Sequence, residues 1–214
     1  MQSVNIEPKS LFKASRAQVR QVEQEADGTL KSLLKNKLLR KNLAIMMLNF
    51  SFGSFGFFVI PFYFSNLSAD IYVIAAASGF AELLASFACI FIVRQLTLKA
   101  SIIVFIWVAF AACFSLIFAQ DAGTLALAVL VLIANFGITS MFDMAYLINV
   151  ELFPTMYLGT AYGACNILAR FISILSPKVG VLPPPWPMSI LVCFSFIVGM
   201  ASFALKPLKD LKSS

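Results

Sequence analysis

Residues 141–171 read MFDMAYLINVELFPTMYLGTAYGACNILARF. Two apolar runs flank a short polar hinge at Glu151 and Pro154, and Gly159 and Gly163 open the second run. Each run carries one charge, Asp143 in the first and Arg170 in the second. A charge near mid-membrane costs about 2.5–3.5 kcal/mol on insertion scales, so such groups face a cavity or each other.

Apolar runs of membrane-spanning length recur on both sides of this stretch. The chain has 214 residues, 60% hydrophobic and 12% charged, far below the roughly 25% charge of a soluble domain. The expected class is an all-α membrane protein with six transmembrane helices. The spans fall at residues 42–64, 70–93, 100–118, 124–149, 157–176 and 188–205. Three parts follow: a basic segment at 1–41, a six-helix domain at 42–205 and a basic tail at 206–214. The first span is rich in phenylalanine, with Pro61 inside it for a kink. The connection SPKVGVLPPPWP, residues 176–187, reads as a stiff extended cap because its prolines cannot continue a helix.

Of the sixteen Lys and Arg residues, nine precede Asn42, two flank the turn at 94–99 and three lie in the tail. That bias puts both termini on the cytoplasmic or matrix side. The net charge of +6 is therefore juxtamembrane charge facing an anionic leaflet, and no nucleic-acid stripe exists. Within 1–41, Leu11, Phe12, Ser15, Val19 and Val22 fall near helical spacing. That pattern fits a surface helix on lipid or an ordinary solvated segment. Asn66-Leu67-Ser68 is formally a glycosylation sequon, but its loop is very short. No secretory signal is expected, since 1–41 lacks an apolar core.

The chemistry of catalysis is thin. Histidine is absent, which removes imidazole metal sites and His-based triads. No phosphate loop or nucleophile elbow occurs. Cys89, Cys113, Cys165 and Cys193 each fall in a different apolar run without metal-ligand spacing, so they read as small buried hydrophobes. Neither enzymatic activity, a metal nor a cofactor is expected.

The informative groups are the mid-span charges Glu82, Asp143 and Arg170. They form a solute site or ion relay, or else Asp143 and Arg170 form a structural pair joining two spans. Arg170 offers a planar fork to a carboxylate or sulfonate. Glu151, at the inner membrane edge just before Pro154, reads as a helix-end or gating group. Gly159–Gly163 permits close helix approach, within the chain or in a dimer.

From about residue 33 to 207 the sequence resembles the C-terminal half of an organic cation/anion transporter of the major facilitator superfamily. SLLKNKLLRKN, residues 32–42, resembles the basic linker before that family's seventh helix. SFGFF, residues 54–58, resembles its aromatic motif, and SGFAE, residues 78–82, the start of its eighth helix. AYLINVELFPT, GTAYG and ARFISILSP resemble the tenth helix, its hinge and the eleventh helix. Arginine at position 170 is more like the organic-anion branch. The resemblance implies that Phe57 and Phe58 stand on a binding wall with Glu82, Asp143 and Arg170. It implies a gating role for Arg94, together with Glu151 and Pro154 at the hinge.

The family's charged inner turn is reduced here to VRQLTLKA, residues 93–100, and the arginine after its hinge is Leu158. The resemblance also implies a second half, since that fold has two six-helix halves with the site between them. Two functions are therefore expected as alternatives. One is a half-size transporter of small organic ions, anions in preference, working with a second six-helix half, either another copy or a separate chain. The other is a structural accessory subunit of a larger membrane complex that has lost transport. Both sit among lipids as multi-pass proteins of the plasma membrane or an organelle, the mitochondrial inner membrane included.

Overall fold

The computed structural model describes residues 30–65, 71–119 and 123–206. The amphipathic segment at 11–22, the sequon at 66–68 and nearly all of the tail lie outside the described residues.

Among the described residues eight helices follow in order: α1 Leu30–Lys35, α2 Lys37–Ser65, α3 Ile71–Gln95, α4 Leu98–Phe118, α5 Thr124–Leu152, α6 Thr155–Ser173, α7 Ser176–Gly180 and α8 Trp186–Ser202. Among the described residues no strand occurs. Five helices among the described residues are long and apolar enough to cross a membrane. The sixth expected span appears as α8, which is apolar but has only 17 residues. At 1.5 Å per residue it extends about 26 Å, near the lower limit for a bilayer core.

The bundle is built around α2 and α5. Helix α2 packs against α5, α6, α7 and α8, and α5 also holds α3 and α4. Small residues allow the closest approaches. A Cβ on Gly137 of α5 would lie 2.8 Å from the backbone nitrogen of Ala109 in α4, so glycine there lets the two helices meet backbone to backbone. Gly53 gives the Phe142 ring room against α2, and Gly56 does the same for Ile138.

Polar groups stitch the end that carries Lys99. The Asn42 side chain donates to the Lys206 carbonyl at 2.9 Å, and Lys99 Nζ donates to the Leu205 carbonyl at 2.7 Å. Buried Asn49 and Ser202 bond each other at 3.1–3.2 Å. Such partners are what make buried polar groups tolerable.

Three expectations change. The connection after α6 is not wholly extended: Ser176–Gly180 coil into α7. The prolines that would break a helix come later, at 183–185. Gly180 seats this turn against Phe62. Helix α2 begins at Lys37, before the expected start of the first span. Of the four free cysteines, Cys193 is exposed while the other three are buried.

Candidate functional site

Helices α3 and α6 stand apart over α2 and α5 and leave a groove of about 230 Å³. Helix α2 supplies Gly53, Ser54, Phe57 and Phe58, and α3 supplies Glu82. Helix α5 supplies Ile138, Thr139, Phe142 and Tyr146, and α6 supplies Asn166, Ala169 and Arg170. Phe57 and Phe58 meet edge to face, their centroids 5.4 Å apart. Adjacent helical residues diverge by about 100°, yet both rings border the same groove because its floor is broad. Glu82 is half-buried, while Arg170 is exposed at the lip. On its other side Arg170 borders a shallower concavity with Ile167, Phe171 and Ile174.

Asp143 is not on the groove. It turns to α3, where Cys89 Sγ lies 3.9 Å from its Oδ2 and 3.8 Å from the Ser140 carbonyl. Asp143 and Arg170 therefore form no ion pair, and the groove wall expected from five residues holds four of them.

The hinge residues also lie away from the groove. Glu151 is in the last turn of α5, and Pro154 caps the N-terminus of α6 with φ −57° and ψ 150°. Arg94, exposed, lies in the last turn of α3.

Sequence alone did not single out the polar and aromatic end of the groove. Tyr146 and Tyr162 stack with centroids 5.6 Å apart, and Phe50 packs edge-on against Tyr146 at 4.7 Å. The Tyr146 hydroxyl donates to Asn166 Oδ1 at 3.1 Å, Asn166 Nδ2 donates to the Tyr162 carbonyl at 2.9 Å, and the Tyr162 hydroxyl donates to the Tyr146 carbonyl. The signal was the period: 139, 142 and 146 share one face of α5, and 162, 166 and 170 share one face of α6.

Gly159 and Gly163 are exposed, and a Cβ on either meets nothing within 4 Å. Packing within the chain does not use them. Helix α6 seats on α2 through Ala161, Cys165 and Ala169, on its other side.

No protein-family model matches the chain. Among curated proteins it is similar to solute carrier family 22 member 15 of Xenopus tropicalis, 26% identical over 171 residues, which are 76% of this chain and 32% of that protein. It is similar to solute carrier family 22 member 4 of Mus musculus, 30% identical over 125 residues, 58% of this chain and 22% of that protein. It is also similar to organic anion transporter 3 of Oryctolagus cuniculus, 26% identical over 180 residues, 81% of this chain and 32% of that protein. The chain thus spans about a third or less of the length of these relatives. With its apolar helices, the chain is an integral, multi-pass membrane protein and a partial homologue of the solute carrier family 22 organic cation/anion transporters, a group of the major facilitator superfamily.

Proposed function

We propose that the chain is one half of a facilitator-type transporter of small organic ions, anions in preference, working with a second six-helix half by alternating access. The observation that carries this reading is the groove, which gathers Phe57, Phe58, Glu82 and Arg170 from three helices around one space. Arg170 presents a guanidinium to a carboxylate or sulfonate, and the two phenylalanines present apolar surface to the body of the solute. Glu82 repels an anion from the far wall, so the anionic end belongs at Arg170. The second half, a further copy or a separate chain, covers α3 and α6, whose outward faces are the least buried in the bundle. The host membrane is a plasma or organelle membrane.

A second reading, a structural accessory subunit, is favoured by the inner turn. Its Lys99 is committed to the Leu205 carbonyl, which leaves Arg94 as the turn's other cation.

The two readings separate in reconstituted vesicles. The chain, purified with whatever partner its native membrane retains, should take up a small aromatic carboxylate faster than a small quaternary ammonium ion. Arg170→Ala should abolish the carboxylate uptake. A stable assembly of many different subunits with no uptake of either solute would sink the transport reading.

A further inference from the structure

We infer that the second half is a second copy of this chain, related by a two-fold axis along the membrane normal, so that α3 of each copy lies against α6 of the other. The inference rests on the transport reading for its purpose, but not for its first test.

Both helices can be measured from the same end of the bundle. There Ser32 Oγ and the Tyr157 hydroxyl hydrogen-bond at 2.8 Å, which holds the start of α6 beside α1. The bond from Lys99 to the Leu205 carbonyl, next to the bond from Asn42 to the Lys206 carbonyl, puts the end of α3 there too. Positions are counted into the membrane from Gln95 on α3 and from Thr155 on α6. Four residues in stand Phe91 and Gly159, and eight in stand Phe87 and Gly163. Twelve in stand Leu83 and Ile167, and sixteen in stand Gly79 and Phe171. At 1.5 Å per residue these levels lie about 6, 12, 18 and 24 Å deep.

On each helix the four residues are spaced by four and form one stripe. The five large ones are 60–66% exposed. A Cβ on Gly79, Gly159 or Gly163 meets nothing within 4 Å among the described residues. The stripes lie on the far side from the small buried residues that seat each helix on its own bundle, such as Ala85 on α3 and Cys165 on α6.

The stripes complement each other in size, level by level. Helix α3 offers rings where α6 offers glycines, α6 offers a ring where α3 offers a glycine, and leucine meets isoleucine between them. A large side chain over a glycine lets membrane helices approach closely. The complement of each stripe is on the same chain, so a two-fold axis makes the contact twice, as in an isologous pair. The charges agree with this register. Glu82 is thirteen residues in, about 20 Å, and Arg170 fifteen, about 22 Å. In the pair, each carboxylate stands level with the guanidinium of the other copy, a counter-charge that the apolar layer of a bilayer does not offer. The two grooves then face each other and close into one chamber, where a solute carboxylate competes with Glu82 for Arg170.

The test uses the whole chain in membranes that hold two differently tagged copies, both with Cys193→Ala to remove the exposed thiol. With Phe87→Cys in one copy and Gly163→Cys in the other, mild oxidation should join them into a species of twice the chain's mass. Phe91→Cys and Gly159→Cys should join likewise. Gly79→Cys and Gly163→Cys, about 12 Å out of level, should not. In liposomes, energy transfer between labelled copies reads the association itself. Gly163→Leu crowds Phe87 of the other copy at both contacts and should weaken that association on the order of tenfold or more. Its Cβ meets nothing in its own chain, so the variant should fold. Joined copies that take up no organic ion uphold the pairing and defeat the transport reading. Uptake with a different protein on α3 and α6, and no joining of copies, overturns the pairing and leaves the transport reading standing. Joining of the out-of-level pair as readily as the matched pairs also overturns it, as does absence of energy transfer at every protein density.

Discussion

Helix α2 and the flanking helices α3 and α6 are built from similar residues but used in opposite ways. Most of the apolar stretch of α2 is buried within the bundle, whereas little of α3 or of the stretch from α6 into α7 is. Where α2, α4, α5 and α8 meet, the contacts are large rings against glycine and backbone against backbone. The flanks touch the bundle through small residues, Ala81, Ala85 and Cys89 on α3 and Ala161, Cys165 and Ala169 on α6. They turn Phe87, Phe91 and Phe171 outward. The flanks also hold Glu82 and Arg170. Stability is thus concentrated in the centre, and binding chemistry at the two walls that a partner or lipid can reach.

The sharpest way to break this contrast is Gly137→Val. A side chain there meets the Ala109 backbone, which cannot rotate away, so the variant should lose about 3 kcal/mol or fail to fold. Thermal unfolding in detergent measures it. A melting temperature equal to that of the wild type would mean that α4 and α5 are not held by this approach.

The next effect is functional and belongs to a wall. Arg170→Ala should weaken binding of a small aromatic carboxylate on the order of tenfold to a hundredfold, the worth of a hydrogen bond to a charge. Arg170→Lys should recover only part of it, because the ammonium lacks the fork. Full recovery by lysine would exclude a two-point contact. Glu82→Gln should act the other way and tighten carboxylate binding, since it removes a repelling charge from the same groove. Isothermal calorimetry on the purified chain reads all three.

Periodicity explains why the fold was legible in the sequence. Runs such as 100–118 have no alternative to a helix in lipid, and the structure gives Leu98–Phe118. The helix after Ser176 was not legible, because the proline run after it dominated the reading of the whole connection. The groove was legible as far as burial cost could locate it: a charge in an apolar run must face something. Cost does not say which side of a helix that something lies on. Asp143 and Thr139 are four residues apart, yet one turns to Cys89 and the other borders the groove. The Tyr146–Tyr162–Asn166 network was hidden for the same reason, since it depends on how α5 and α6 rotate after the break at Pro154.

A smaller effect is expected at Gly163. Nothing stands within 4 Å of an added Cβ, so Gly163→Ala should stabilise the isolated chain by about 0.5–1 kcal/mol through helix propensity. The same change should impair assembly if a second half seats on this face. A melting temperature lowered as far as that of Gly137→Val would show that the face is already occupied within the chain.

The smallest effect concerns Asp143 and Arg170 together. They lie on consecutive helices and carry opposite charges, which made a structural pair a reasonable alternative. Counting from the hinge, Asp143 is nine residues back from Leu152, about 14 Å, and Arg170 fifteen residues beyond Thr155, about 22 Å. The two groups therefore differ by roughly 8–9 Å in depth before any sideways separation is added. They also point to different neighbours, Asp143 to Cys89 and Arg170 to the groove lip. A pair so placed should be nearly additive. In a double-mutant cycle of Arg170→Ala and Asp143→Ala, followed by thermal unfolding in detergent, the coupling energy should stay within about 0.5 kcal/mol. The opposite result has a distinct form: each single change lowers the melting temperature and the double change restores it, as happens when one substitution strands a buried charge. Such rescue would commit Arg170 to Asp143 and remove it from the groove as an anion ligand.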